Sequence, residues 1–195
     1  MRYLDQNLHR TPDRLPGIIQ EQIDDAAENA GMFVLGYGLC SGGIVGVSAP
    51  KQPLAIPRVH DCIALFLGSG EAYHREFSEN PGTYYMTAGW VAEEQDPLGY
   101  MERDYVPRVG REDAEWALRE ELKHYSRIAL VLTDTGDEQA LRKRGEENAR
   151  FLDKKFEVIK GSRAFFEKML HGPYDEGDFV VLQPGEKVVQ NPFMT

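Results

Sequence analysis

The sequence predicts an α/β fold, with a mostly parallel sheet and helices on both faces, in a Rossmann-like three-layer arrangement. Short apolar runs typical of buried strands alternate with segments of helical period, which is the pattern of this class. Connections between parallel strands are nearly always right-handed, so helices are expected to cover both faces of the sheet. The length of 195 residues suits one domain with a substantial core. We therefore expect a single α/β domain over residues 1–195.

The first predicted elements alternate regularly. A helix is expected over about 12–30, where apolar residues form one stripe and Gly31 follows as a C-terminal cap. The run MFVLGYG (32–38) predicts a buried strand that ends at a glycine-rich turn. PLAIP (53–57) predicts a second strand, and CIALFLGS (62–69) predicts a helix that is apolar all round and therefore buried.

The region 69–110 is less regular. It contains most of the tyrosines and several prolines and has no sustained period, so we expect an irregular insertion or lid with one short strand at 84–87. Regular elements return after it. They are, in order, a helix at 112–125, a strand at 128–134, a helix at 137–152, a strand at 156–161, a helix at 163–171 and a strand at 179–183.

Composition excludes several classes of function. The formal net charge of −10 repels phosphate backbones, so nucleic-acid binding is not expected. No apolar run approaches the roughly 20 residues that span a bilayer, and the charged N-terminus lacks the apolar core of a signal peptide. We therefore expect a cytoplasmic protein with no membrane association. Thiols stay reduced there, so the two cysteines are more often unmodified, metal-bound or reactive than joined in a structural disulfide.

Both cysteines follow predicted strands. In an open parallel sheet, ligands bind beyond the carboxyl ends of the strands. Cys40 follows the first strand, whereas His60, Asp61 and Cys62 follow the second. We therefore predict that the two places form one site, which binds a small-molecule substrate. Two thiolates and an imidazole suit zinc, and three protein ligands leave a fourth position open for water or substrate, so Cys40, His60 and Cys62 are the predicted metal ligands.

Geometry imposes a condition on this zinc site. Residues two apart on a helix point to different sides, so His60 and Cys62 share a metal only if His60 precedes the helix. Asp61 would then cap the helix, orient a ligand or act as general base. Cys62 would lie in the first turn, where the helix dipole favours the thiolate. Two alternatives stay open: a redox-active thiol pair without metal, and inert packing of buried cysteines.

Further candidates concern anion and cofactor binding. Backbone N–H groups of Ser41, Gly42 and Gly43 could cradle an anion, although glycines of a tight turn explain the same pattern. Arg58 could bind a carboxylate or phosphate in bidentate fashion, and ion pairing with the many acidic residues is the alternative.

Aromatic residues suggest one wall of a pocket. Tyr84 and Tyr85 belong to the predicted lid, which a short path could bring beside Cys40 and Cys62. Aromatic side chains that exclude water would strengthen the electrostatics of a metal site. Aromatic core packing is the alternative reading of these tyrosines.

Three segments carry a family resemblance. GYGLCSGGIVGV, IPRVHDCIALFLGS and FSENPGTYYMTAGW, in that order, resemble the prokaryotic domain-of-unknown-function family 1638, and the similarity runs from about Leu8 through the final strand. The resemblance implies an α/β fold. The motif residues that it implies are Cys40, His60, Asp61, Cys62, Gly82, Thr83 and Trp90.

The resemblance also implies a metabolic setting. Members of the family often occur beside corrinoid-dependent methyltransferases, which suggests one-carbon or methylamine-type metabolism. The leading hypothesis is a zinc protein for methyl transfer, acyl transfer or hydrolysis. The alternative is a non-catalytic accessory protein that binds a corrinoid protein or methyltransferase and contacts its corrinoid cofactor. Family members usually begin with an additional strand and helix, and a sheet edge left uncovered would favour a homo-oligomer.

Overall fold

Helices and strands alternate along the chain, and the α/β class is confirmed. The computed structural model describes residues 1–5, 8 and 11–193. The strands of the described residues are β1 (Phe33–Val34), β2 (Leu54–Pro57), β3 (Thr83–Thr87), β4 (Arg127–Leu132), β5 (Lys155–Lys160) and β6 (Phe179–Leu182). The helices are α1 (Leu15–Ala26), α2 (Ile63–Leu67), α3 (Gly70–Glu79), α4 (Ala88–Ala92), α5 (Pro97–Tyr100), α6 (Val106–Val109), α7 (Arg111–Glu121), α8 (Glu138–Leu152) and α9 (Ala164–His171).

The chain divides into two compact units. The first consists of residues 1–72 and 163–195, and the second of residues 73–162. Each unit has its own three-stranded sheet and its own cluster of buried apolar side chains. The single sheet that alternation suggested is thus divided into two.

The sheet of the first unit is mixed, with the strand order β1-β2-β6. β1 runs parallel to β2, with Phe33 opposite Leu54, whereas β6 pairs with β2 in the antiparallel direction. All four residues of β2 are buried, because it is the central strand. Its uninterrupted apolar run LAIP fits a strand covered on both faces.

Helix α1 supplies the apolar stripe that the sequence predicts. Leu15, Ile19 and Ile23 recur at intervals of four and are buried among residues of the first unit's core. The helix is shorter than the expected 12–30, because its ends tighten into 3-10 turns at Pro12–Arg14 and Ala27–Asn29.

The sheet of the second unit is fully parallel, with the strand order β3-β4-β5. β4 is central and nearly all buried, which explains its uninterrupted apolar sequence. On the edge strand β5, the charged residues Lys155, Glu157 and Lys160 are exposed. Charged side chains on an edge strand discourage pairing with other chains.

Region 69–110 is not the irregular insertion that the sequence suggested. It contains α3, the strand β3 one residue longer than expected, and short helical segments from Ala88 to Val109, one of which is the π-helical turn Met101–Tyr105. Most of these helical pieces are four or five residues long. Periodicity is read over windows of about 11–18 residues, so pieces this short leave no recognisable period.

A buried polar network fixes part of this region. The Asp96 side chain is 1% exposed, and its Oδ1 accepts a hydrogen bond from Asn148 Nδ2 at 2.7 Å and forms an ion pair with Arg144 Nε at 2.9 Å. Asn148 Oδ1 in turn accepts from the Leu98 N–H at 2.9 Å. The network therefore ties the start of α5 to α8 within the second unit.

Candidate functional site

Main-chain hydrogen bonds place Cys40 beside the segment that follows β2. The Leu35 N–H donates to the Ala55 carbonyl at 2.9 Å, which continues the parallel β1–β2 pairing. Further along, the Leu39 N–H donates to Val59 O and the Cys40 N–H donates to His60 O, each at 3.0 Å. The two chain segments thus stay side by side beyond the carboxyl ends of the strands, which is where the sequence analysis expected the site.

Gly38 permits this close approach. A Cβ atom at this position would lie 3.1 Å from both Val59 Cγ2 and Val59 O, and 3.3 Å from Cys62 N. Its N–H donates to Cys62 Sγ at 3.2 Å. Gly38 is not among the site residues that the sequence predicts. Its position two residues before Cys40, at the end of an apolar strand, was the available signal.

The two sulfur atoms are in contact. Cys40 Sγ and Cys62 Sγ lie 2.7 Å apart, and either thiol could be the donor of a hydrogen bond between them. Both residues are half-buried, and no disulfide joins them. Cys40 has a left-handed backbone with φ of 42°, which directs the chain into the 3-10 turn Cys40–Gly42. The structure therefore brings the two cysteines of the chain into one site.

The surroundings of Cys62 favour its protonated form. Its pKa lies well above the ordinary thiol value of 9.0, chiefly because it is hydrogen-bonded to Cys40, and secondarily because burial disfavours the thiolate. The nearby Cys40 and Asp61 charges act in the same direction, whereas the Gly38 N–H opposes them. These effects oppose the stabilisation of the Cys62 thiolate that the sequence predicts from the helix dipole, and α2 has only five residues.

Tyr37 is a second residue near the thiols that is not among the site residues predicted from the sequence. Burial raises the pKa of its phenol, and negative charge on Cys40 and Cys62 would raise it further. These electrostatic effects locate the Tyr37 phenol in the neighbourhood of both thiols. Tyr37 is half-buried, and its raised pKa keeps the phenol neutral, so its O–H can donate a hydrogen bond.

Asp61 organises the start of α2. Its Oδ1 accepts a hydrogen bond from the Ile63 N–H at 2.8 Å, in a short loop around Cys62, which occupies the N-cap position. The prediction that Asp61 is the N-cap and Cys62 lies in the first turn is therefore wrong by one residue, although Asp61 still accepts a hydrogen bond from the first N–H of the helix. Its predicted action as a general base stays a prediction.

The predicted zinc ligands are only partly brought together. Cys40 and Cys62 are in contact, whereas the His60 side chain is exposed and its main-chain carbonyl is the group that bonds to Cys40. Across residues 1–5, 8 and 11–193, no group of three or more His, Cys, Asp or Glu side chains is arranged to hold a metal ion. The residues at this site therefore provide two sulfur donors but do not fit the three-ligand arrangement that the sequence suggested.

The glycine-rich turn uses its N–H groups internally. The Gly42 N–H donates to Leu39 O at 2.9 Å and the Gly43 N–H donates to Cys40 O at 3.2 Å. Ser41 lies in the same turn, and its side chain is outside the part that the structure describes. These bonds support the tight-turn alternative over an anion cradle.

The other predicted ligand-binding residues lie elsewhere. Arg58, at the end of β2, donates to the carbonyls of Pro192 and Phe179. Tyr84 and Tyr85 lie on β3 in the second unit, and the Tyr84 ring packs edge-on against Trp90 and Tyr125. Those ring contacts support core packing for Tyr84. A contribution of the two tyrosines to a pocket wall stays a prediction.

The fold and the site define an α/β protein with a pair of adjacent thiols, and the comparisons place it in a family. The family model described as "Protein of unknown function (DUF1638)" matches residues 3–170, so the chain belongs to this family and the resemblance noted from its sequence is confirmed. The comparisons with curated proteins and with solved structures gave no match. Among the described residues, none of the helices has the length and apolar character required to cross a bilayer.

Proposed function

We propose that the chain is a dithiol protein whose Cys40–Cys62 pair undergoes reversible thiol–disulfide exchange. The observation that carries this proposal is the 2.7 Å separation of the two sulfur atoms. A disulfide has a sulfur–sulfur bond of about 2.05 Å, so the atoms need to move less than about 1 Å to form it. Because the only two cysteines of the sequence lie this close together, disulfide formation between them is favoured over inert packing.

The exchange requires a disulfide-bearing co-reactant, which we propose to be a low-molecular-weight disulfide. Cys40 loses its proton, and its thiolate attacks one sulfur of the co-reactant to form a mixed disulfide, while the released thiolate takes up that proton. Cys62 then loses its proton and attacks Cys40 Sγ, and the second leaving thiolate takes up that proton. Two protein thiols are oxidised and one external disulfide is reduced to two thiols, so atoms and electrons balance.

The order of attack follows from the surroundings of the two thiols. Hydrogen bonding to Cys40 and burial raise the pKa of Cys62, and we therefore assign the first attack to Cys40. The Gly38 N–H points at Cys62 Sγ at 3.2 Å and stabilises the negative charge that develops there in the second step.

The proposal is tested by oxidation of the reduced full-length protein with oxidised glutathione, followed by alkylation and intact-mass measurement. We expect both thiols to be lost together and the product to weigh two hydrogens less than the reduced chain, with no glutathione retained. Cys40→Ser and Cys62→Ser are matched controls and should instead stop at the mixed disulfide or remain reduced. Wild-type protein that keeps two alkylatable thiols, or that accumulates a stable mixed disulfide, would refute the proposal.

Zinc binding is a second candidate, which the two adjacent sulfur donors favour. Metal analysis of reduced protein purified without added metal tests it. One zinc per chain that is lost in both cysteine variants would support it, whereas metal well below one ion per chain would count against it. The predicted open coordination position and the one-carbon or methyl-transfer activity depend on that result.

The accessory function also stays a prediction. If the chain binds a corrinoid protein or methyltransferase, affinity capture from native cytoplasm should recover that partner repeatedly, and repeated failure would argue against it. Cytoplasmic location and homo-oligomer formation are predictions that fractionation and light scattering respectively can check.

A further inference from the structure

Arg58 is a half-buried cation with no carboxylate partner among the described residues. Its Nη1 donates to Pro192 O at 3.1 Å and its Nη2 donates to Phe179 O at 3.5 Å, both neutral main-chain acceptors. Its Nε is buried and has no acceptor in the part of the chain that the structure describes. The chain has 32 acidic residues, yet none of those described forms an ion pair with Arg58. A partly buried charge is costly unless an opposite charge compensates it, which leaves this guanidinium suited to an external anion.

Arg58 lines a concavity of about 660 Å³ within the first unit. Small-molecule sites commonly have volumes of about 300–1,000 Å³, mostly apolar walls and a few polar groups. The Tyr174 ring forms part of the wall, and it packs edge to face against the fully buried ring of Phe179, with centroids 5.2 Å apart. Glu176 is the acidic residue of the lining, and it is exposed, so water screens its charge.

The concavity also includes the outer edge of the sheet. The main-chain carbonyl of Ala55 accepts a hydrogen bond from β1, so Ala55 and Val181, which lie opposite each other, form a non-hydrogen-bonded pair of the antiparallel ladder. In such a pair the N–H and C=O of Val181 point away from β2. Val181 lines the concavity, so a main-chain donor and acceptor lie along its wall. The exposed amide side chains of Gln183 and Asn191 complete a polar rim.

We propose that this concavity binds a small carboxylate that has an aromatic or other flat apolar body. The carboxylate would accept hydrogen bonds from the Arg58 guanidinium, as such pairs do where a cation lies in an apolar wall. The body would pack against the Tyr174 ring, and the Val181 main chain would orient a further polar substituent. This proposal is independent of the thiol chemistry.

The test is an NMR titration of the full-length reduced protein with benzoate, with neutral benzamide as the matched ligand control. We expect benzoate to shift the signals of residues around Arg58 and Tyr174, and benzamide to shift them much less. Arg58→Gln should weaken benzoate binding about tenfold, the loss that accompanies removal of one charge-assisted hydrogen bond.

Two variants at the rim keep the proposal testable if Arg58→Gln does not fold. Asn191 is exposed, so Asn191→Asp and Asn191→Lys should fold alike. The negative charge should weaken benzoate binding and the positive charge should strengthen it, with both effects reduced at high salt. No binding of benzoate, equal binding of benzamide, or rim variants that leave the affinity unchanged would overturn the proposal.

Discussion

Replacement of Gly38 by Ala tests whether close packing at this glycine holds the thiol pair together. The added Cβ would lie 3.1 Å from two atoms of Val59 and 3.3 Å from Cys62 N. Carbon atoms in ordinary contact are about 3.5–4.0 Å apart, so the two segments must separate by a few tenths of an ångström. The Leu39–Val59 and Cys40–His60 hydrogen bonds resist that separation. We therefore expect lower stability and a disturbed pair of sulfur atoms.

The expected size of the effect follows from two opposing contributions. Overpacking a close contact costs about 1–3 kcal/mol. Replacing glycine by alanine also restricts the unfolded chain, which returns about 0.4–1 kcal/mol. The net decrease in the free energy of unfolding should be about 1–2 kcal/mol, and internal disulfide formation should slow.

Urea unfolding of the reduced protein, together with the rate of thiol oxidation, measures both consequences. Gly17→Ala is the matched control, because a Cβ at Gly17 in helix α1 would meet nothing within 4 Å. That variant should be as stable as wild type or gain up to about 1 kcal/mol, with unchanged thiol oxidation. Gly38→Ala protein that matches Gly17→Ala in stability and in oxidation rate would refute the packing argument.

Three further predictions follow from the same structure. Because the pKa of Cys62 is raised in the folded state, the unfolded chain ionises first, so the free energy of unfolding of the reduced protein should fall as the pH rises above 9.0 and continue to fall until the pH passes the raised pKa of the folded state. That fall should be smaller in Cys62→Ala. Gly145→Ala should lower the free energy of unfolding by about 1–3 kcal/mol, because its Cβ would overlap the ring of Phe156. Asp96→Ala should cost about 1–3 kcal/mol, because it removes the acceptor that the buried Asn148 side chain bonds to.

Chemical denaturation checks all three, and each has an outcome that contradicts it. An equal pH dependence in wild type and Cys62→Ala would show that Cys62 is not the residue responsible. Gly145→Ala with wild-type stability would mean that the Phe156 ring moves aside at little cost. Asp96→Ala within about 0.5 kcal/mol of wild type, the range of ordinary surface substitutions, would show that the network does not stabilise the second unit.

The sequence alone determined the α/β class and most of the regular elements. Uninterrupted apolar runs such as 128–132 and the helical stripe of α1 are local patterns that burial imposes directly on the residue order. The family motifs and the placement of Cys40 and Cys62 after successive strands also came from sequence. Parallel strands carry their carboxyl ends to one edge, so the two cysteines could be expected to meet there.

Only the tertiary structure decided how these elements are joined and what the site contains. Strand pairing depends on residues far apart in the chain. The local sequence of a segment therefore does not predict the division into two sheets or the antiparallel direction of β6. The direction of a side chain depends on a few backbone angles, and for this reason His60 is exposed while Cys40 and Cys62 are in contact. Gly38 and Tyr37 belong to the site through contacts made across the fold, and a residue's partners in space cannot be read from its neighbours in the chain.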